Sequence, residues 1–410
     1  MNRIPKDNYR WYIMALGALT NALVVASPSM ALSVLLPEIS KDLHLTIVQA
    51  GFVWGIVSLP AIFTGLLAGS LCDRLGPKIM LSLTCLLMGL AGAARGLAHD
   101  FAGLMVIAFI NGVFSPAITV SNFKNAAVWF EPGERGVANG VATLGMAGGF
   151  FIGALVSASY LSPLLGGWRN VFYVTGGVAA LFSIPWLFSR KAPTHARTTA
   201  PAGDGMLQSI LHLFRQKEIW VLGLAVAAVS GGAQGVMGYM PLYLQGIGWP
   251  VMSASGAVAA FNIASMIGVL PFTLLSDRTG SRRKFLVAGG LITAIGIGVA
   301  SVAQGAGIWG AMIFAGSVRD AFMAILMATS NQYKGSRHAT AGIATGLMTC
   351  FTALGNLAAP PAGNSLAGLG PNIPLIGWAV LIFMGSMCIA LPYLWKWTGA
   401  RRQKARLEGI

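Results

Sequence analysis

The sequence predicts an all-α membrane protein: twelve transmembrane helices arranged as two six-helix, pseudo-symmetric halves. Three observations predict it. The composition is too apolar for water, twelve runs have spanning length, and a charged motif returns at the same place in each half. Of 410 residues, 55% are hydrophobic and only 10% charged, and mean hydropathy is +0.71. Soluble domains carry about a quarter charged residues, so too few polar side chains remain to coat a water-exposed surface. The 53 glycines fit the same reading, because glycine is commoner in membrane helices than in soluble ones. Cys72, Cys85, Cys350 and Cys388 show no metal-ligand spacing and read as apolar thiols.

A spanning helix needs about 20 mainly apolar residues. Such runs occur at 11–37, 47–71, 79–98, 102–126, 137–161, 170–189, 219–245, 251–275, 284–303, 306–331, 339–363 and 373–396. Most breaks are short and carry turn or charge signals, as in Asp73-Arg74-Leu75-Gly76-Pro77-Lys78. The one break of linker length is 190–218, which divides the chain into a bundle at 1–189, a cytoplasmic linker, a bundle at 219–396 and a tail at 397–410. The first run lacks a small-x-small cleavage site and is read as span 1, not as a removed signal.

The net charge of +15 is explained by its placement. Of 27 Lys and Arg, 23 fall before span 1, on the side after even-numbered spans, or in the tail. Lys41, Arg95 and Arg169 fall on the side after odd-numbered spans, and Arg319 lies inside span 10. The positive-inside rule then predicts an inner-membrane protein with both termini cytoplasmic, with lipid headgroups as partners of the basic tail Arg401-Arg402-Gln403-Lys404. Nucleic acid is excluded as a partner because the basic residues are dispersed instead of gathered on one face with aromatics.

Gly69-Ser70-Leu71-Cys72-Asp73-Arg74-Leu75-Gly76-Pro77-Lys78 follows span 2, and Thr273-Leu274-Leu275-Ser276-Asp277-Arg278-Thr279-Gly280-Ser281-Arg282 follows span 8. The shared core is Asp-Arg-x-Gly-x-basic, 204 residues apart. A second echo relates Glu134-Arg135-Gly136 after span 4 to Ser336-Arg337-His338 after span 10. Gly76 and Gly280 permit a tight turn between helices, and Gly69 would let span 2 approach a neighbour closely. On these residues, with the Trp129-Phe130-x-x-x-Glu134-Arg135-Gly136 loop, the chain resembles transporters of the major facilitator superfamily over essentially its whole length. In that family the segment latches the halves on the cytoplasmic side. The resemblance therefore implies gating roles for Asp73, Arg74, Gly76, Asp277, Arg278, Glu134 and Arg135; a solvated charged turn is the plainer alternative. Two departures stand out. The antiporter Gly-Pro pair is replaced by Gly145-Met146 in a span 5 whose glycines predict packing between the halves, and Asn111 stands near the place of a basic residue often found in span 4.

Arg319 and Asp320 are the charged residues near the middle of a span. A charge there costs about 2.5–3.5 kcal/mol on the insertion scale, so such residues face a cavity or a partner. Neighbouring helix positions point about 100° apart, which argues against an ideal pair between them. Either Arg319 turns to the cavity and Asp320 to a polar neighbour, or the reverse. Arg319 presents a planar fork suited to a carboxylate, and Asp320 could bind and release a proton. The alternative is an Arg–Asp pair that only orients span 10. Lys124 either lines the inward mouth or snorkels to headgroups. Ser27, Asn111, Gln234 and Asn262 lie at matching depth, with Tyr239, Tyr243 and Asn356 nearer the outside. Spans 1, 4, 7 and 10 line the cavity in the resembled family, so Ser27, Asn111, Gln234 and Arg319 are expected as a ring. Each alone could equally be an interhelical hydrogen bond.

The expected function is secondary transport of a small anion, an organic carboxylate, by alternating access with proton coupling. Small-molecule substrate and protons are the expected partners, with no cofactor and no metal, and the chain is expected as a monomer. Export of drugs or neutral solutes is the alternative, and a transporter-like sensor a minor one. Nitrate porters resemble this chain in glycine-rich spans but need Arg in spans 2 and 8, which are uncharged here. No Gly-x-x-x-x-Gly-Lys-Ser/Thr segment supports ATP-driven transport, and no nucleophile–base set supports an enzyme.

Overall fold

Proline and glycine punctuate the helices. The computed structural model describes residues 8–131, 133–190, 216–330 and 338–407. Helix α1 runs Tyr9–Asp42 and widens into a π-helical turn over Asn21–Ala26. It ends where His44 takes a positive φ of 53°. A capping box of Thr46 and Gln49 starts α2, which has two segments, Ile47–Ile56 and Ala61–Leu75. Pro60 lacks an N–H and breaks the ladder between them.

Gly76, at φ +80°, turns the chain into α3 (Pro77–Leu97), whose Pro77 occupies the first helical turn. Asp100 caps α4 (Phe101–Trp129) through the amide of Gly103 at 2.7 Å. The half closes with α5 (Arg135–Leu165) and α6 (Trp168–Phe188). The second half comprises α7 (Lys217–Gly246), α8 (Val251–Thr279), α9 (Arg282–Ala300), α10, α11 (His338–Asn364) and α12 (Ile373–Leu407). Gly280, at φ +62°, repeats the turn of Gly76. Helix α10 is interrupted: Ala306–Gly316 and Arg319–Ser330 are separated by Ser317 and Val318.

Eleven of the described helices are long and apolar enough to cross a membrane. The twelfth, α11, is 27 residues long and carries Pro360 and Pro361 near its end. Two expectations fall partly or wholly on residues outside the described ones: the linker, of which 191–215 are not described, and the Ser336-Arg337 echo. Helix α12 continues through Leu407, past residue 396 where the last apolar run ends.

The start of α1 and the end of α12 lie on one face, called here the terminal face, and the opposite one is the distal face. On the terminal face Arg10 forks onto Glu134 at 2.6 and 3.2 Å, its guanidinium lying over Phe130. Arg135 donates to the carbonyls of Phe130 and Ala127 at the end of α4, where a cation complements the helix dipole. On the distal face Glu38 accepts from Ser162 and from the amide of Trp168, while Asp42 pairs with Arg169.

As expected, span 5 lies at the interface between the halves, where α5 packs against α8, but three of its glycines serve the contact with α1 inside the first half. A Cβ on Gly145, Gly149 or Gly153 would come within 2.2–2.5 Å of Ala18, Ala22 or Ser27 on α1. Their four-residue spacing puts all three on one helix face. Gly69 likewise departs from expectation: open space surrounds the position of its missing Cβ, and its carbonyl instead accepts from Lys124 at 2.6 Å.

Candidate functional site

The two halves meet along a seam sealed in its distal part. Ser33 Oγ donates to the Met237 carbonyl at 2.5 Å, and Trp54 Nε1 to the Gln234 carbonyl at 2.7 Å. Asn364 Nδ2 reaches the Ile47 carbonyl at 2.7 Å. Gly51 and Gly55 of α2 lie so near Pro361 and Leu357 of α11 that a Cβ would approach their backbone within 2.9 and 2.7 Å. Among the described residues, no hydrogen bond crosses the seam in its terminal part. The described state is therefore closed distally. Trp54→Phe is expected to weaken this closure by about 1 kcal/mol, roughly five-fold in population. Faster hydrogen–deuterium exchange over residues 30–56 would report it.

Beneath the seal, the break in α10 sets the site. Gly316 sits against the Phe261 carbonyl and Gly268 against the Ser317 carbonyl, where a Cβ would come to 2.3 and 1.8 Å. Those approaches press the break against α8. Arg319 then opens the second segment and Asp320 lies in its first turn, where the helix dipole favours an anion. The two are in contact after all: Arg319 Nη1 lies 3.5 Å from Asp320 Oδ1, with side-chain exposures of 23% and 40%. The expectation that neighbouring positions cannot pair well holds only in that the contact is single and long; the flexible arginine chain folds back to make it. The guanidinium lies 5.8 Å from the Phe261 ring centroid. The Asp320 amide, left without an intrahelical acceptor by the break, donates to Ser265 Oγ at 3.1 Å.

The other candidates are dispersed. No hydrogen bond joins any two of Ser27, Asn111, Gln234 and Arg319. Ser27 lends its backbone to the contact with Gly153, and Gln234 its carbonyl to Trp54. Asn111 is buried with both ends of its amide engaged, Oδ1 to Arg95 at 2.7 Å and Nδ2 to the Met88 carbonyl at 3.2 Å. Asn262, next to Phe261, donates to the Val258 carbonyl and reaches Met30 Sδ across the seam at 3.8 Å, while its Oδ1 is buried without a partner. Asn356 accepts from Ser230 at 2.8 Å between α11 and α7. Tyr239 donates to the Pro371 carbonyl at 2.7 Å and stacks on Tyr243. Tyr243 lines a distal cavity of about 540 Å³ with Trp249, Gln304 and Asn372, away from Arg319's neighbours.

The Lys124 ammonium, on a partly exposed side chain, pairs with Asp73 at 2.6 Å, tying α4 to α2. Asp277 pairs with Arg282 at 3.0 Å, five residues on, and Arg282 also reaches the Ala328 carbonyl. Arg74 and Arg278 are exposed and make no described side-chain bond.

Sequence reasoning missed Arg95. Counted among the loop residues of the far side, it is wholly buried instead, at 0% exposure, inside the first bundle. The available signal was its place inside the apolar run 79–98, ahead of the loop residues His99 and Asp100.

Two pseudo-symmetric six-helix bundles, sealed at one end over a charged helix break, define the architecture of the alternating-access carriers. The chain belongs to the Major Facilitator Superfamily, whose model matches residues 14–360. It is similar to a galacturonate transporter of Dickeya chrysanthemi, 24% identical over 52% of this chain and 66% of that protein. It also resembles a probable L-galactonate transporter of Escherichia coli, 25% identical over 58% of this chain and 56% of that protein. A probable nitrate/nitrite transporter of Mycobacterium tuberculosis is 25% identical over 61% and 62%. The chain thus spans somewhat over half the length of these curated relatives. Among solved structures, an inward-facing, unoccupied bacterial homologue of the human lysosomal transporter Spinster shares the fold, with a TM-score of 0.79 at 16% identity over 95% of this chain and 97% of that one.

Proposed function

We propose that the protein is a secondary active transporter of a small organic anion, working by alternating access and coupled to protons. The observation that carries the reading is the Arg319–Asp320 contact at the break in α10, single, 3.5 Å long and partly open. A substrate carboxylate can take the place of Asp320 on the guanidinium fork, where two parallel bonds replace one. Protonation of Asp320 releases Arg319 for that exchange, so one proton enters the site with each negative charge. The named substrates of the relatives, galacturonate, galactonate and hexuronate, support a sugar acid as the cargo.

In the sequence, 23 of the 27 basic residues fall before the first span, on the side after even-numbered spans or in the tail, which supports the terminal face as cytoplasmic in an inner membrane. Gating there belongs to the paired loops. Asp73 is held by Lys124 in the present state, and closing the terminal face would exchange that partner for one across the seam.

The test is uptake of radiolabelled D-galacturonate and L-galactonate into proteoliposomes under an inward proton gradient. Accumulation of a sugar acid that collapses with a protonophore is expected. Uptake of D-galactose with neither acid transported would replace the anion by a neutral solute.

A further inference from the structure

Arg95 sits three residues from the distal end of its apolar run, close enough for its long side chain to reach water. It turns the other way. The guanidinium is wholly buried among α1, α3, α4 and α6, bonded to Asn111 Oδ1 at 2.7 Å and to the Pro28 carbonyl at 3.4 Å. It lies 5.6 Å from the Phe172 ring centroid, and its Nε has no partner. Each of these partners is uncharged, and among the described residues no carboxylate pairs with it. A buried cation is normally neutralised by an acid, because desolvation is costly. Here an asparagine stands where an aspartate would fit and supply that acid.

The contacts run on toward the candidate site. Pro28, held by Arg95, lies two residues before Met30, which touches Asn262 of α8. Asn262 adjoins Phe261, the ring beneath Arg319. We propose that Arg95 is a selectivity-determining charge for the transported anion. It is left unneutralised so that the first half presents a permanent positive potential toward the site, acting through space and not by contact. In a membrane interior such a field is weakly screened, and it favours anions over neutral solutes of the same shape.

The inference rests on the anion reading above, and the test separates the two. Affinity for D-galacturonate, L-galactonate, sulfoacetate and nitrate is first measured on the purified full chain, and the best-bound acid becomes the probe. Asn111→Asp keeps the bond to Arg95 and cancels its charge in place, at the expense of the bond to Met88. It is expected to weaken the probe by about four-fold, the scale of a unit charge acting across about two helix diameters at an effective dielectric of about 20. Arg95→Gln should weaken it similarly, whereas Arg95→Lys, which keeps the charge but not the fork, should stay within about 1.5-fold of the parent. A purely structural arginine predicts the opposite order, with Asn111→Asp harmless and Arg95→Lys as damaging as Arg95→Gln. If the parent binds none of the acids, the anion reading falls and takes this one with it. If the parent binds one and Asn111→Asp binds it equally, this proposal alone is overturned. Should Asn111→Asp fail to fold, equal affinity in Arg95→Lys and Arg95→Gln overturns it.

Discussion

Arg319→Ala is expected to reduce sugar-acid uptake by about 100-fold or more, the loss that follows removal of one partner from a desolvated, hydrogen-bonded charge pair. The reason lies in the geometry at the break of α10. The guanidinium is held over Phe261 with one 3.5 Å contact to Asp320, leaving most of its donors for a substrate carboxylate. Arg319→Lys keeps the charge but not the planar fork, and should recover only part of the activity. The paired substitution Asp320→Asn separates binding from coupling. It removes the proton site while leaving Arg319 in place, so exchange of labelled for unlabelled sugar acid should persist while pH-driven accumulation disappears. Initial-rate uptake and counterflow in the same proteoliposomes measure both. Wild-type accumulation by Asp320→Asn would remove the proton role from Asp320.

Gly268→Ala should have the largest effect on the fold. An added methyl would lie 1.8 Å from the Ser317 carbonyl, and backbone at a packed helix crossing cannot step aside as a flexible side chain can. Overpacking of this kind typically costs 1–3 kcal/mol, occasionally more. Here it must also push α10 away from α8 at the residues that aim Arg319 and seat the Asp320 amide on Ser265. The expected outcome is a lower melting temperature in detergent together with loss of anion uptake. Gly148→Ala, where nothing lies within 4 Å, should leave both unchanged and serves as the control.

Apart from the end of α12, the helices were legible in the sequence to within about five residues, for a physical reason. Lipid demands long apolar runs with internally bonded backbone, and that demand acts on each segment separately. The paired turns were legible for a similar one: Gly76 and Gly280 occupy positive φ because each tight turn needs it locally. The break in α10 was not legible, because Gly316, Ser317 and Val318 include no proline; it falls where the Ser317 carbonyl meets Gly268 on another helix. Nor were the partners of the charged residues. Arg95 reads as a loop residue until α1, α4 and α6 close around it, and Lys124 reads as a cavity or surface residue until α2 brings Asp73 alongside.

By itself, the sequence determined that this chain lives in lipid, crosses it in twelve segments and repeats one loop in two halves. It also marked Arg319 and Asp320 as charges that lipid would not tolerate. Only the tertiary structure decided which side chains meet. It set Asn111 on Arg95, Lys124 on Asp73, the glycines of α5 on α1 and the distal closure through Trp54, Ser33 and Asn364. Hydrophobic periodicity specifies which residues share a helix face. Which neighbour that face meets depends on the rotation and approach of helices far apart in the chain, and small residues such as Gly268 and Gly316 set those distances only once both helices are in place.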